Sequence, residues 1–326
     1  MIPAFDAAAF VPRVVPAALA AAHGRRVLVV DAGSRDATGS LARELGAEVL
    51  RLPARAGPAE ARNAGVARCA ADVVLLLDSD CVPHEDVVER VERAFAADPE
   101  LVALFGSYDA NPPERGFFSR YMNLRHHFTH QRGKRDASTF WAGCGAVRRG
   151  AFLDVGGFDV ARYPRPMIED IELGVRLARR GRIRLDPDLQ VTHLKRWTLA
   201  SLIETDILRR AIPWAELILE TGQLPDDLNL RWRERVAAAL APLVLLAPLA
   251  APLLGARAGA GAALAALLPA AVSLGLQREL VAFFARSGGA GFALRAWLFH
   301  QVHLTYAAAT LLFCWLRHWL RRAGTR

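Results

Sequence analysis

Charge is missing from one long stretch of this sequence. Between Arg235 and Arg278 the only charged residue is Arg257. A soluble core seldom leaves so long a run uncharged, whereas bilayer segments do. Zinc-finger spacing and RNP-type aromatic motifs are also absent, so the net charge of +8 does not point to nucleic acid as a partner. The four cysteines, Cys69, Cys81, Cys144 and Cys314, form no CxxC pair and read as reduced and structural, as suits a cytoplasmic domain. No signal peptide is visible, because Pro3, Asp6, Pro12 and Pro16 break up the N-terminus. Internal repeats are lacking.

What is present divides the 326 residues in two. Charges are dense up to Arg235, so a soluble domain is expected over residues 1–230 and a membrane region over 231–326. Within the first part, Arg26–Val30, Glu48–Leu52, Asp72–Leu77 and Leu101–Phe105 are short apolar runs of the kind that form buried strands. Helices are expected from Asp36 to Gly46, from Pro58 to Ala67 and from Pro83 to Ala97, with proline in a favoured first turn. Phe117–Arg135 reads as a helix decaying into a basic loop. Strands alternating with helices predict an α/β fold with a mostly parallel, Rossmann-like sheet. Ligands bind such sheets beyond the carboxyl ends of the strands, where Asp31 and the Asp78/Asp80 pair fall.

The acidic residues carry the chemistry. Asp78-Ser79-Asp80 follows a strand, and two carboxylates so spaced can meet one hard cation, Mg²⁺ or Mn²⁺, bridging a diphosphate; a solvated acidic turn is the plainer alternative. Glu169-Asp170 opens a helix, where the dipole favours ionised carboxylates, and one of them can act as general base. His193, in a polar break after Val191, can complete a metal shell or be merely structural. Arg62, in the helix after Pro58, suits a phosphate or simply faces solvent.

Six segments occur in order: IPAF at Ile2–Phe5, VVDAGSRDAT at Val29–Thr38, GPAEARNAG at Gly57–Gly65, LLLDSD at Leu75–Asp80, VGGFD at Val155–Asp159 and IEDIELGVRLARRG at Ile168–Gly181. Together, over about residues 1–200, they resemble the family 2 glycosyltransferases of the GT-A fold, in their membrane-anchored bacterial form. The resemblance implies an inverting enzyme with a divalent metal and a nucleotide-sugar donor. It implies that Ala4 and Asp31 line the base pocket and that Arg62 approaches the base or diphosphate. Asp78 would contact the ribose or a metal-bound water, Asp80 and His193 the metal, and Asp170 would be the catalytic base beside Glu169.

Three features depart from the family pattern. The usual strand before IPAF is missing, so either the true start lies upstream of Met1 or the sheet opens with a stub. The acidic pair after VV is reduced to Asp31-Ala32. The QxxRW signature of processive members is reduced to Arg196-Trp197, which points to one transfer per encounter. A nucleotidylyltransferase would want a glycine-rich loop near the N-terminus, which is absent. A catalytically inactive, membrane-anchored scaffold is the remaining alternative, and the intact acidic pairs argue against it.

Two uncharged spans are expected, Val236–Gly255 and Ala258–Leu276, turning at Arg257, with Phe299–Leu316 a third span or an interfacial helix. Arg231, Arg233 and Arg235 place the active site on the cytoplasmic side of a multi-pass inner-membrane protein. Trp197, Trp214 and Trp232 are expected as an interfacial collar, and a membrane anchor suggests a lipid or lipid-linked glycan acceptor.

Overall fold

The computed structural model describes residues 1–323, and the side chains of 248–258, 262, 263 and 266 lie outside that description. The chain divides into two compact units, Met1–Thr198 and Leu199–Arg326. The boundary falls before residue 230 because the helices that follow Leu199 pack with those beyond Trp232.

The first unit runs β1 (Ile2–Ala4), α1 (Val11–Ala21), β2 (Leu28–Asp31), α2 (Thr38–Glu44), β3 (Glu48–Arg51), α3 (Pro58–Arg68), β4 (Val73–Leu77), β5 (Cys81–Pro83) and α4 (Val87–Ala97). It continues with β6 (Leu101–Tyr108), α5 (Phe117–Gln131), β7 (Asp136–Ala137), β8 (Cys144–Arg148), α6 (Arg149–Asp154), α7 (Glu169–Leu177) and β9 (Arg182–His193). Strands β1, β2 and β3 pair in parallel. Leu75 O accepts from the Met1 amine at 2.8 Å, and the Leu77 amide donates to Met1 O at 3.0 Å, so β1 lies against β4. Beyond β4 the order is β8, β6, β9, β5. β8 is antiparallel to both β4 and β6, while β6 and β9 are parallel. Most strands therefore point one way, and their carboxyl ends gather Asp31, Asp78 and His193.

The apolar runs form strands because both faces are covered. Val29 joins a core with Val11, Val14, Ala42, Val91 and Phe95, whereas its neighbours Leu28 and Val30 join Ala61 of α3 on the other face. Successive strand side chains point to opposite faces, so a strand between two helical layers must be apolar throughout. Each such buried side chain contributes about 1.5–3 kcal/mol.

Two expected elements differ. Pro83 does not begin a helix; it ends β5, which pairs with Val191–His193 of β9, and α4 begins only at Val87. His193 does not lie in a polar break; it closes β9. Strand β1 spans three residues, Ile2–Ala4.

The second unit contains α8 (Leu199–Glu204), a π-helical segment (Thr205–Ala211), α9 (Ile212–Thr221), a 3₁₀ turn (Leu228–Leu230), α10 (Trp232–Ala258), α11 (Ala260–Ala266), α12 (Leu268–Leu276) and α13 (Arg278–Ala323). Arg257 lies within α10 rather than in a turn, and the break comes at Gly259, whose φ is 86°. The Arg257 side chain, with those of Pro248 and Pro252, lies outside the described residues. The expected second span is divided between α11 and α12. Among the described residues no single helix is long and apolar enough to cross a membrane, but α12 and α13, bent by 72°, meet that requirement together.

This unit exposes large apolar side chains and buries several polar ones beside its apolar core. Among the described residues, every exposed large hydrophobic side chain except Leu153 belongs to it, including Trp232, Leu312, Phe313 and Trp319. Inside, Ser273 Oγ donates to Gln301 Oε1 at 3.1 Å and Gln301 Nε2 donates to Gln277 Oε1 at 2.9 Å. Asp206, also buried, accepts from Tyr306 Oη at 2.7 Å and pairs with Arg210 at 3.2 Å. The expected tryptophan collar loses one member, because Trp197 is buried in the first unit with its amide bound to Ser119 Oγ.

Candidate functional site

Arg62 is the centre of the site. It sits in α3, which starts at Gly57-Pro58, and its guanidinium is buried. Nη2 donates to Asp78 Oδ1 at 2.7 Å and Nη1 to Glu169 Oε1 at 3.0 Å. Three distant motifs therefore meet at one planar cation, whose fork suits paired carboxylates. The Arg62 guanidinium also lies over the Phe158 ring, 5.4 Å from its centroid.

The next residue, Asn63, holds the segment that bears Phe158. Its Nδ2 donates to Phe158 O and its Oδ1 accepts from Phe158 N, both at 2.9 Å. The loop can approach because Gly157 has φ +67° and no Cβ; a methyl there would come within 2.7 Å of Asn63 Oδ1. GPAEARNAG and VGGFD are separate in sequence, and the role of Asn63 emerges only where helix α3 meets the Gly156-Gly157 turn.

Glu169 and Asp170 open α7 but differ in duty. Glu169 is buried; it holds Arg62 and accepts from the Met167 amide at 2.7 Å, so it faces protein rather than an open site. Asp170 is partly exposed, with Oδ2 accepting from the Ala142 amide at 3.1 Å and Oδ1 from the Ile171 amide at 2.8 Å. The helix start does not leave Asp170 readily ionised. Burial first, and then the charge of Glu169, raise its carboxyl to about 7, against the opposing pull of Arg62 and the two amides. A carboxylate poised there is well matched to proton transfer at neutral pH.

Asp78 and Asp80 end β4 and are pushed apart in acidity. Burial lifts Asp78 above the usual carboxylate range, opposed by Arg62 and reinforced by the charge of Asp80. Burial also works against charge on Asp80, but the His193 imidazole and the Lys195 ammonium outweigh it and hold the group below that range. The strand pairing of Cys81 with His193 brings this pair together, leaving His193 Nε2 3.6 Å from Asp80 Oδ2.

Asp80 and His193 are the side chains here that would hold a divalent cation, offering one oxygen and one nitrogen donor. Among the described residues no group of three or more His, Cys, Asp or Glu could hold a metal ion, so the protein would supply few ligands. A cation that keeps several waters and binds a diphosphate needs no more.

Two expected pocket residues are placed less openly. Asp31 has no exposed surface; its oxygens accept from the Ser34 amide at 2.8 Å and from Arg51 Nη1 at 2.9 Å. It organises the loop after β2. Ala4 is also buried, and its carbonyl accepts from the Ala32 amide at 2.8 Å. Arg51 was not foreseen, being an ordinary strand residue in the sequence.

Comparison with known proteins bears on the family and the fold. Residues 1–156 match the model of glycosyl transferase family 2. The pre-mycofactocin glycosyltransferase of Mycobacterium tuberculosis is 32% identical over 193 residues, covering 56% of this chain and 40% of that protein. Glycosyltransferase AglE of Haloferax volcanii is 38% identical over 69 residues, 20% of this chain and 23% of that protein. The chain thus spans less than half the length of these relatives. The mannosyltransferase PcManGT from Pyrobaculum calidifontis, solved with GDP-Man and Mn²⁺, superposes with a TM-score of 0.60 over 95% of this chain and 85% of that one, at 19% identity. At that identity the likeness is one of fold, here a GT-A-like α/β fold. From the matched residues 1–156, and with the ordered motifs converging on Arg62, the first unit carries a glycosyl transferase family 2 domain.

Proposed function

We propose that the protein moves a sugar from a nucleotide-sugar donor to an acceptor hydroxyl, with inversion at the anomeric carbon and one transfer per encounter. The observation that carries this reading is Asp170, a partly exposed carboxylate raised to about 7 and fixed by two backbone amides, beside the Arg62–Asp78–Glu169 knot. Asp170 takes the acceptor proton, the acceptor oxygen bonds to the anomeric carbon, and the bond from that carbon to the diphosphate breaks. The nucleoside diphosphate leaves with the electron pair. Asp80 and His193 would hold a divalent cation, Mn²⁺ or Mg²⁺, which when bound neutralises charge on the departing diphosphate. Arg62 and Glu169 keep Asp78 in place behind it. The pyrobaculum mannosyltransferase, crystallised with GDP-Man and Mn²⁺, supports the metal and the class of donor.

The helical unit supports action at a membrane. Its exposed leucines and tryptophans and its buried Ser273, Gln277 and Gln301 are distributed as in lipid-immersed helices, where polar side chains join helices from within. The arginines at 231, 233 and 235 set the catalytic unit on the cytoplasmic face of the inner membrane. A lipid or lipid-linked glycan is the acceptor such a location favours.

The test is to incubate the detergent-purified protein with a panel of nucleotide sugars, Mn²⁺ and extracted lipid. Transfer or hydrolysis from one donor supports the reading. No turnover of any donor, with the protein folded and binding nucleotide, overturns it in favour of a binding scaffold.

A further inference from the structure

Resting on the metal role just proposed for His193, we infer that Tyr108 is the residue that positions it, as part of a column of stacked rings. The His193 imidazole is nearly enclosed, with a side chain 6% exposed. Its Nε2 faces Asp80 Oδ2, 3.6 Å away. A metal-bound histidine ordinarily has its other nitrogen held by a carboxylate or carbonyl. Here a flat contact does that work. The Tyr108 ring lies 4.2 Å from His193 with an interplanar angle of 8°. On its other side it meets His126 at 4.1 Å, and His126 meets His130 at 3.9 Å. Trp141 closes the column edge-on, 5.0 Å from Tyr108 and at 88° to it.

The column is anchored at its far end. His130 is buried, with Nδ1 2.8 Å from Gly106 O, and His127 Nδ1 lies 2.7 Å from Tyr108 O. The histidines of α5 thus bind the last turns of β6 through its carbonyls and continue the stack through its tyrosine. Ring packing of this kind favours one orientation of His193. That orientation aims Nε2 at Asp80. Tyr108 acts through His193.

The experiment uses the full-length protein in detergent with Mn²⁺ and either UDP or GDP. Mn²⁺ affinity is read from the electron paramagnetic resonance of free Mn²⁺, and nitrogen ligation from spin-echo modulation by directly bound ¹⁴N. The parent protein is expected to bind Mn²⁺ with nitrogen modulation. Tyr108→Leu should weaken Mn²⁺ binding by roughly 10-fold or more, the scale set by outer partners of a metal ligand, and lose the modulation. Tyr108→Phe keeps the ring and should restore both. Should Tyr108→Leu not fold, His126→Leu removes the next ring and should weaken binding about threefold, within the spread of such contacts. Parental affinity and modulation in Tyr108→Leu, or in a folded His126→Leu when Tyr108→Leu fails to fold, overturn the inference. A parent protein that transfers sugar but shows no nitrogen modulation overturns this inference and leaves the transferase reading standing. One that binds Mn²⁺ through nitrogen but turns over no donor does the reverse.

Discussion

Arg62 Nη1 and Glu169 Oε1 meet at 3.0 Å across 107 residues of sequence, each on a side chain 6% exposed. Removing one partner of a buried pair leaves the other charged and unpaired. Arg62→Met should therefore lower stability by about 3–5 kcal/mol. Glu169→Gln, which keeps shape and one acceptor, should cost about 1–3 kcal/mol and also weaken nucleotide binding by loosening Arg62 from Asp78. Urea unfolding and calorimetric titration with UDP and GDP check both. Glu169→Gln with parental stability would mean that the pair does not hold the site together.

Asp170→Asn keeps the size of the side chain but removes its basicity. Single-turnover transfer should slow by roughly 10² or more while donor affinity stays near parental, since general-base help is worth that much. Parental rates in this variant exclude Asp170 as the base.

The same residue predicts two pH dependences. Transfer should rise with pH through about 7, as Asp170 loses its proton and becomes a base. Stability should move the other way. A carboxyl whose pKa is raised from 3.8 to about 7 on folding binds its proton more tightly when folded. Its contribution is complete below the unfolded value and is lost as pH climbs to about 7. Asp170→Asn should flatten that decline, which thermal melts between these limits would show.

Asp80→Ala should abolish the Mn²⁺-dependent part of nucleotide binding. The expected loss is roughly a hundredfold or more, because even outer-shell partners of metal ligands account for 10- to 100-fold. Unchanged UDP or GDP affinity in the presence of Mn²⁺ would remove Asp80 from the metal site.

The adjacent glycines of the 156–157 turn should respond unequally to alanine. Gly156 has φ +82° with open space where a methyl would go, so Gly156→Ala costs only the left-handed strain, about 1–2 kcal/mol. Gly157 has φ +67° and adds the clash with Asn63 Oδ1. Gly157→Ala should be the more destabilising by about 1–3 kcal/mol, the usual cost of overpacking, and should slow transfer as well. Equal unfolding midpoints would show that Asn63 does not clamp the turn.

A chain truncated after Thr198 should lose the salt-resistant part of its membrane association. The apolar exterior that supports lipid contact lies beyond that residue. Flotation with phospholipid vesicles in high salt measures it, since screening removes contacts made by exposed charges alone. Full flotation of the truncated chain would place the anchor in the first unit.

Much of the fold was legible in the sequence because apolar runs such as Val73–Leu77 admit few alternatives to a covered strand. The acidic pairs were legible too, each standing at an element end. Other parts were hidden. Along β9 the side chains alternate strictly, with Ile183, Leu185, Pro187, Leu189, Val191 and His193 all buried. The period of two was present, but arginines, aspartates and a proline obscured it, so His193 read as part of a polar break. The inward turn of Glu169 could not be read at all, because its partner Arg62 comes from another helix. Nor could the weakened acidity of Asp170, since burial is a property of the assembled site. Arg51, Asn63 and Tyr108 likewise gain their meaning only from neighbours distant in sequence.

The segment leading into β8 has a further use. The Ala142 amide points at Asp170, while the neighbouring Gly143 carbonyl accepts from the Asp78 amide at 3.1 Å. Backbone groups of adjacent residues thus touch both acidic motifs. An amide bound to a carboxylate shifts its resonance when that carboxylate gains a proton. Ala142 is consequently a built-in reporter: its nitrogen and proton frequencies would titrate with Asp170 in the resting protein, before any donor or acceptor is known.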